Sequence, residues 1–211
     1  AFFAIEYRVV LAEKQAEVER QGRLFARAIA DDITREIAVK RAQLAVLGTS
    51  PQLVGDNLAG FHAQARQSAA AVPGWIVLFA QDGHQILNTQ EPFGRALPPT
   101  RNPALVRHVH DTMSCATTGV FASPRTERSV VSLLCPVPGT DYVLSGPLPV
   151  DHLSSVVARQ TPSGWAATLI DRDGLVIVRS EGSDTTVGDR LPDEVRRRVA
   201  AGTGGWTGFM L

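Results

Sequence analysis

The sequence lacks three features that would point directly to a function: a long apolar run, an excess of one charge and a catalytic motif. It has no run of 18 or more apolar residues, so no segment is long and apolar enough to span a bilayer. It has no excess of either charge, because 21 Lys and Arg balance 21 Asp and Glu, and we expect no nucleic-acid partner. It also lacks the motifs of serine hydrolases, zinc peptidases, phosphate-binding loops and kinases, including the asparagine and ATP-binding motifs of a histidine kinase. Any catalysis by the parent protein is therefore expected outside this chain.

What the sequence does have is an internal repeat. Gly74-Trp75 opens an apolar run that reaches Asp82-Gly83, and about ninety residues later Gly164-Trp165 opens a run that reaches Asp173-Gly174. The Gly-Trp pair, the apolar run and the Asp-Gly pair recur in the same order, which predicts two copies of one supersecondary unit. Asp-Gly between two apolar runs predicts a tight hairpin in each copy.

The segment before the repeat predicts one long amphipathic helix over residues 6–48, which contain no proline and one interior glycine. Its second half has the richer apolar stripe and is expected to pack on the globular part, with Lys40 and its charged neighbours on other faces. Residues 1–5 are either the end of a membrane helix cut upstream or a frayed apolar helix end. Because residue 1 is not Met and residues 206–211 predict the start of a strand, we expect a fragment of a longer protein.

The remaining segments predict an α+β fold. Capping residues, turn signals and apolar alternation predict helices at 57–72, 103–110, 151–159 and 192–200, and strands at 75–80, 85–89, 117–122, 129–137 and 142–148. The second copy of the repeat has its hairpin and its helix, but the chain stops as a third strand opens. Its sheet is therefore expected to be incomplete.

Four stretches, in this order, carry a resemblance to a known family: 74–89, 92–98, 130–137 and 170–180. The chain resembles the double Cache (dCache) domains, tandem PAS-like modules in extracytoplasmic regions of bacterial sensor histidine kinases, diguanylate cyclases and chemoreceptors. The resemblance implies a long N-terminal signalling helix (1–56), a membrane-distal ligand-binding module (57–160) and a partial membrane-proximal module (161–211).

The resemblance also implies a function. The chain would be the periplasmic sensing domain of a membrane-bound sensor histidine kinase, and it would bind a small polar or anionic metabolite without cofactor or catalysis. The alternatives are the same sensor on a diguanylate cyclase or chemoreceptor, or a structural dimerisation module without ligand. The full-length protein would be anchored by flanking membrane helices, and this tethering would favour a homodimer.

Candidate ligand-binding residues lie in the first copy of the repeat. Arginine grips carboxylates through a two-point fork, and Arg101 precedes a capped helix whose N-terminal end attracts anions. Further candidates are Arg95, His108 and two serines within apolar strands, Ser132 and Ser145. Each has an ordinary alternative: a solvated arginine, a surface histidine, or the polar face of a half-exposed sheet.

No metal site is predicted. His108 and His110 lie two apart on a helix, which points their rings about 200° apart. Residues 171–174 could begin a calcium loop, but the apolar residues 175–178 stand where further oxygen ligands are needed, so a hairpin turn is favoured.

The two cysteines, Cys115 and Cys135, are predicted to form a disulfide. The strands 117–122 and 129–137 form a hairpin centred close to Arg125, so residues whose numbers sum to 250 face each other. The oxidising periplasm implied by the resemblance favours the bridge. Two unrelated buried thiols, as a cytoplasmic location would require, are the alternative.

Overall fold

The computed structural model describes residues 2–124, 126–180, 186–194 and 196–197, and the chain begins with one long helix. Helix α1 (Phe2–Gly48) has 47 residues and is therefore about 70 Å long at 1.5 Å per residue. It is uninterrupted because it contains no proline, and Pro51 follows shortly after its end. The predicted helix is confirmed and begins somewhat earlier than expected.

Among the side chains of α1 that the structure describes, residues 14 and 16–48, the buried apolar ones lie in the second half, as predicted; they include Ile29, Ile33 and Leu44. Lys40 was expected on a face of α1 other than the apolar one, and this was wrong, because its side chain is completely buried. The room for it comes from Gly146 in the sheet below, where an added Cβ would lie 2.5 Å from Lys40 Cδ.

Two short helices follow α1. Helix α2 (Pro51–Val54) was not predicted, whereas α3 (Leu58–Ala69) matches the predicted helix at 57–72 except for its last turn. Asn57 caps α3, since its side chain accepts a hydrogen bond from the N–H of Gly60 at 3.1 Å.

The largest element is an antiparallel sheet of six strands: β1 (Val77–Ala80), β2 (Gln85–Asn88), β3 (Ala116–Thr117), β4 (Phe121–Ala122), β5 (Ser129–Pro136) and β6 (Tyr142–Pro149). The strand order is β2-β1-β6-β5-β3, and β4 also pairs with β5. Helix α4 (Pro103–Thr112), capped by Asn102, connects β2 to β3. Apart from the segment at 117–122, the predicted strands agree with this sheet to within about two residues.

The predicted strand at 117–122 is interrupted. Facing residues have numbers that sum to 250 at Thr117 and Leu133, as predicted, but to 251 at Phe121 and Val130. One extra residue is therefore inserted between β3 and β4, which is the definition of a β-bulge. The strands β3 and β4 consequently have only two residues each.

The two faces of the six-stranded sheet are covered by different helices. On one face Leu44 of α1 packs in a cluster with Leu78 of β1. On the other face Val106 and Val109 of α4 pack in a cluster with Val77 of β1. Neighbouring residues of one strand point to opposite faces, so β1 contributes alternately to the two clusters.

A second, two-stranded sheet follows. Helix α5 (Val150–Gln160) leaves β6 directly, and β7 (Thr168–Ile170) and β8 (Val176–Arg179) form the hairpin predicted at Asp173-Gly174. Ile177 of β8 and Val157 of α5 pack in one cluster with Ile33 of α1. Helix α1 therefore contributes to the apolar clusters of both sheets.

Several expectations concern residues beyond those described. Of the helix predicted at 192–200, residues 193–194 and 196–197 are helical and residue 192 is not. Residues 195 and 198–200 and the strand predicted at 206–211 lie outside the described residues. Within the described part of the chain, no helix combines the length and the apolar character needed to cross a membrane.

Candidate functional site

A cavity of about 610 Å³ opens on the face of the six-stranded sheet that α4 covers. Strands β1, β5 and β6 contribute to its lining, as do the segment 91–102 between β2 and α4 and the segment 118–124 that contains the bulge. Trp75, Val77 and Phe79 provide apolar surface. The size and the mixed lining suit a small molecule with both apolar and polar parts.

Specific hydrogen bonds hold the segment 91–102 against the sheet. Gln85 Nε2 donates to the carbonyl oxygen of Pro98 at 2.7 Å, and the N–H of Thr100 donates to the carbonyl oxygen of Gly83 at 3.1 Å. At the start of the segment, His62 Nε2 of α3 lies 2.9 Å from the carbonyl oxygen of Glu91. This wall is therefore positioned at both of its ends by strand and helix residues.

Ser132 of β5 and Ser145 of β6 both line the cavity and are buried. Their hydroxyl oxygens are 2.8 Å apart, so one hydroxyl donates to the other. The second hydroxyl proton of the pair has no acceptor among the described residues and can be donated to a ligand oxygen. Both serines were candidates from the sequence, and the structure brings them together.

The two candidate arginines also line the cavity, and both are largely exposed. Arg95 Nη1 lies 3.0 Å from Oε2 of Glu91, which is 5% exposed. Arg101 precedes the N-cap of α4, the location expected from the sequence. Sequence reasoning missed Glu91, because a spacing of four residues predicts a contact only on a helix and residues 91–95 are not helical.

Unlike the other candidate residues, His108 does not line the cavity. Helix α4 turns Val106 and Val109 toward the sheet, so His108 lies on the outer side beside Arg107 and Asp111, at a separate shallow hollow. The neighbouring His110 does not reach the cavity either, and its hydrogen bond lowers the pKa of Asp111.

Cys115 and Cys135 form a disulfide, with an S–S distance of 2.08 Å and a Cα–Cα distance of 4.2 Å. They face each other because the register around β3 follows the sum of 250. Both cysteines belong to the cluster on the α1 face of the sheet. The bridge therefore lies on the opposite face from the cavity and secures the edge strand β3.

In the residues that the structure describes, no three His, Cys, Asp or Glu side chains come together as a metal site. The carboxylate of Asp171 accepts hydrogen bonds from the backbone N–H groups of Asp173 and Leu175, both at 2.9 Å. These bonds are typical of a hairpin turn stabilised by its first aspartate.

No protein-family model and no curated protein matches the sequence. Solved structures do. The sensory domain of the Campylobacter jejuni chemoreceptor Tlp3 with isoleucine bound is 13% identical, with a TM-score of 0.71 over 96% of this chain and 86% of that one. The ligand-binding domain of the Pseudomonas fluorescens chemoreceptor CtaA in complex with L-isoleucine is 14% identical, with a TM-score of 0.64 over 88% and 76%. The extracellular domain of a candidate histidine kinase, rpHK1S-Z16, is 14% identical, with a TM-score of 0.58 over 87% and 76%.

These identities are low, so the similarity concerns the fold. The predicted α+β class is confirmed: a long N-terminal helix, an antiparallel sheet and a second hairpin are arranged as in the solved domains. The chain has a Cache-type fold, which it shares with the ligand-binding and sensory domains of these chemoreceptors and with the extracellular domain of the candidate histidine kinase.

Proposed function

We propose that this chain is the extracytoplasmic sensing domain of a membrane-bound bacterial signalling protein and that it binds a small molecule without converting it. The cavity of about 610 Å³ on a Cache-type sheet is the observation that supports this most. Our first proposal for the full-length protein is a sensor histidine kinase that is anchored by flanking membrane helices and forms a homodimer. A chemoreceptor parent is an equal candidate, since chemoreceptor domains share the fold.

The proposed ligand is a polar or anionic metabolite with an apolar portion. Arg101 and Arg95 would meet a carboxylate, the serine pair would donate one hydrogen bond, and Trp75 and Val77 would contact the apolar part. Two solved domains of the same fold hold isoleucine, and others are complexes with GABA and L-Gln, so amino acids and short organic acids are the first compounds to test.

The proposed organisation assigns 57–160 to a membrane-distal module that holds the ligand and 161–211 to a membrane-proximal module, with 1–56 as the signalling helix. The proposed compartment is the periplasm, which the disulfide supports because it requires an oxidising environment. A ligand that favours one packing of α1 over another would shift the helix between two positions in proportion to its differential affinity.

Binding is tested by thermal unfolding and calorimetry of the chain with L-isoleucine, L-glutamine, γ-aminobutyrate and succinate. A bound ligand at one hundred times its Kd stabilises the fold by about 2.7 kcal/mol and raises the Tm. Arg101→Ala is expected to weaken binding about tenfold, equivalent to about 1.4 kcal/mol, because it removes a charged hydrogen-bond donor.

Arg107→Ala is the matched control, since Arg107 is an exposed arginine of the same region that does not line the cavity. It is expected to bind as the native chain does. Equal affinity of the Arg101→Ala variant would remove Arg101 from the site. A new product in the NMR spectrum of any bound compound would overturn the proposal that the chain is not an enzyme.

A further inference from the structure

The bulge between β3 and β4 is part of the cavity wall, since residues 118–121 all line the cavity. The N–H of Thr118 donates to the carbonyl oxygen of Ser132, and Phe121 faces Val130. Three residue steps on this strand therefore oppose two steps on β5, and the N–H of Val120 has no partner in the sheet. A backbone donor left in this way needs another acceptor.

The acceptor comes from the second sheet. Asp171 Oδ2 accepts the hydrogen bond from the N–H of Val120 at 3.2 Å. Gly119 permits this approach, because an added Cβ would lie 2.7 Å from the same oxygen. The other oxygen, Oδ1, accepts the N–H groups of Asp173 and Leu175 in the hairpin turn. One carboxylate thus stabilises the β7–β8 turn and the bulged wall together.

A second contact joins the same elements. Arg172, the next residue, donates from Nη2 to the carbonyl oxygen of Thr117 at 2.9 Å. The β7–β8 hairpin therefore contacts the edge of the six-stranded sheet on both sides of Thr118. Arg172 is exposed, so its contact contributes less than that of Asp171.

We infer that Asp171 is a positioning residue for the cavity, through which the second sheet holds the bulged wall in place. The inference rests on the proposed function only in taking this cavity as the ligand site. Because coupling between two sites is reciprocal, a ligand that contacts residues 118–121 binds more tightly when the hairpin is docked, and it stabilises the docked hairpin in return.

Two variants break this contact from opposite sides. Asparagine in Asp171→Asn has one acceptor oxygen, which can serve the two amides of the turn or the amide of Val120 but not both. Gly119→Ala leaves Asp171 unchanged and pushes its carboxylate away, so it also covers the case in which Asp171→Asn does not fold. Asp173→Asn is the matched control, because Asp173 is an exposed aspartate of the same turn.

Two measurements on ligand-free protein report whether the bulged cavity wall has loosened. The first is amide hydrogen exchange at Val120 by NMR. The second is acrylamide quenching of Trp75, which lines the cavity, with Trp165 and Trp206 replaced by Phe in every variant. We expect about tenfold faster exchange at Val120 and a higher quenching constant in Asp171→Asn and Gly119→Ala, and neither change in Asp173→Asn.

Unchanged exchange at Val120 in both variants overturns the inference. Faster exchange with unchanged quenching of Trp75 overturns it as well, because the contact would then dock the hairpin without shaping the cavity. Since neither measurement uses a ligand, a failure to find one counts against the proposed function and not against the role of Asp171.

Discussion

At the scale of single residues, Lys40 departs most from what its sequence position suggests. Its side chain is fully buried between α1, to which it belongs, and the six-stranded sheet. Nζ donates to Gln43 Oε1 at 2.9 Å and to the carbonyl oxygen of Pro73 at 2.7 Å. Burial lowers the pKa of Lys40 to about 8, and the nearby carboxylate of Glu36 offsets this only in part. The ammonium group is therefore held by two oxygens in a site that disfavours its charge.

This lowered pKa predicts a pH dependence of stability. Between pH 8 and the ordinary lysine pKa of 10.5, the unfolded chain binds more protons at Lys40 than the folded chain does, so the free energy of unfolding increases with pH. We expect an increase of about 1.5 kcal/mol between pH 8 and pH 9.5 in urea denaturation. The range stops there because the raised pKa of Tyr142 has the opposite effect above about pH 10.

Lys40→Met should abolish this increase, whereas Lys14→Met should retain it, because Lys14 is the other lysine of the chain and lies exposed on the same helix. A native chain whose free energy of unfolding is constant over this pH range would contradict the assignment of a lowered pKa to Lys40.

The cavity residues were partly predictable. Arg101, Ser132 and Ser145 could be proposed because a capped helix and polar positions within apolar strands are local patterns. The roles of Glu91 and Asp171 could not be predicted, because each depends on a tertiary contact with a wall whose path the sequence does not indicate.

At the scale of elements, the disulfide joins β3 to β5 across 20 residues of sequence. Closing a loop of this length is expected to stabilise the fold by about 3 kcal/mol. The double variant Cys115→Ser/Cys135→Ser should lose about this much in urea denaturation, and reductant should then have no further effect on it. Intact mass with and without reductant checks the bond itself, and two free thiols in oxidised, folded protein would contradict it.

The register of β3 and β5 was predictable because a short polar turn defines the centre of a hairpin. The bulge was not predicted, although a lone glycine such as Gly119 within a strand segment is a signal of one. The charge pattern of α1 likewise assigned Lys40 to an outer face, and the space beneath it exists only because Gly146 lies in a distant strand.

At the scale of the whole molecule, the dominant feature is the length of α1, about 70 Å. Among its described side chains, the buried apolar ones lie in the second half, and the sequence of residues 6–20 has no sustained heptad pattern. We therefore predict that the isolated chain is a monomer at micromolar concentration in sedimentation velocity. A tight dimer at that concentration would contradict this, whereas dimerisation of the membrane-tethered parent would not, because tethering raises the effective concentration.

The buried ammonium of Lys40 also restricts how α1 can move. A slide by one residue would displace Nζ by 1.5 Å along the helix axis and about 100° around it, away from the carbonyl oxygen of Pro73 and out of the space above Gly146. Lys40 is therefore expected to oppose an axial slide of α1 at this point. A tilt of α1 about Lys40 would move Nζ less from the carbonyl oxygen of Pro73 than a slide would, so we expect the distant end of α1 to swing sideways more readily than the helix moves along its axis.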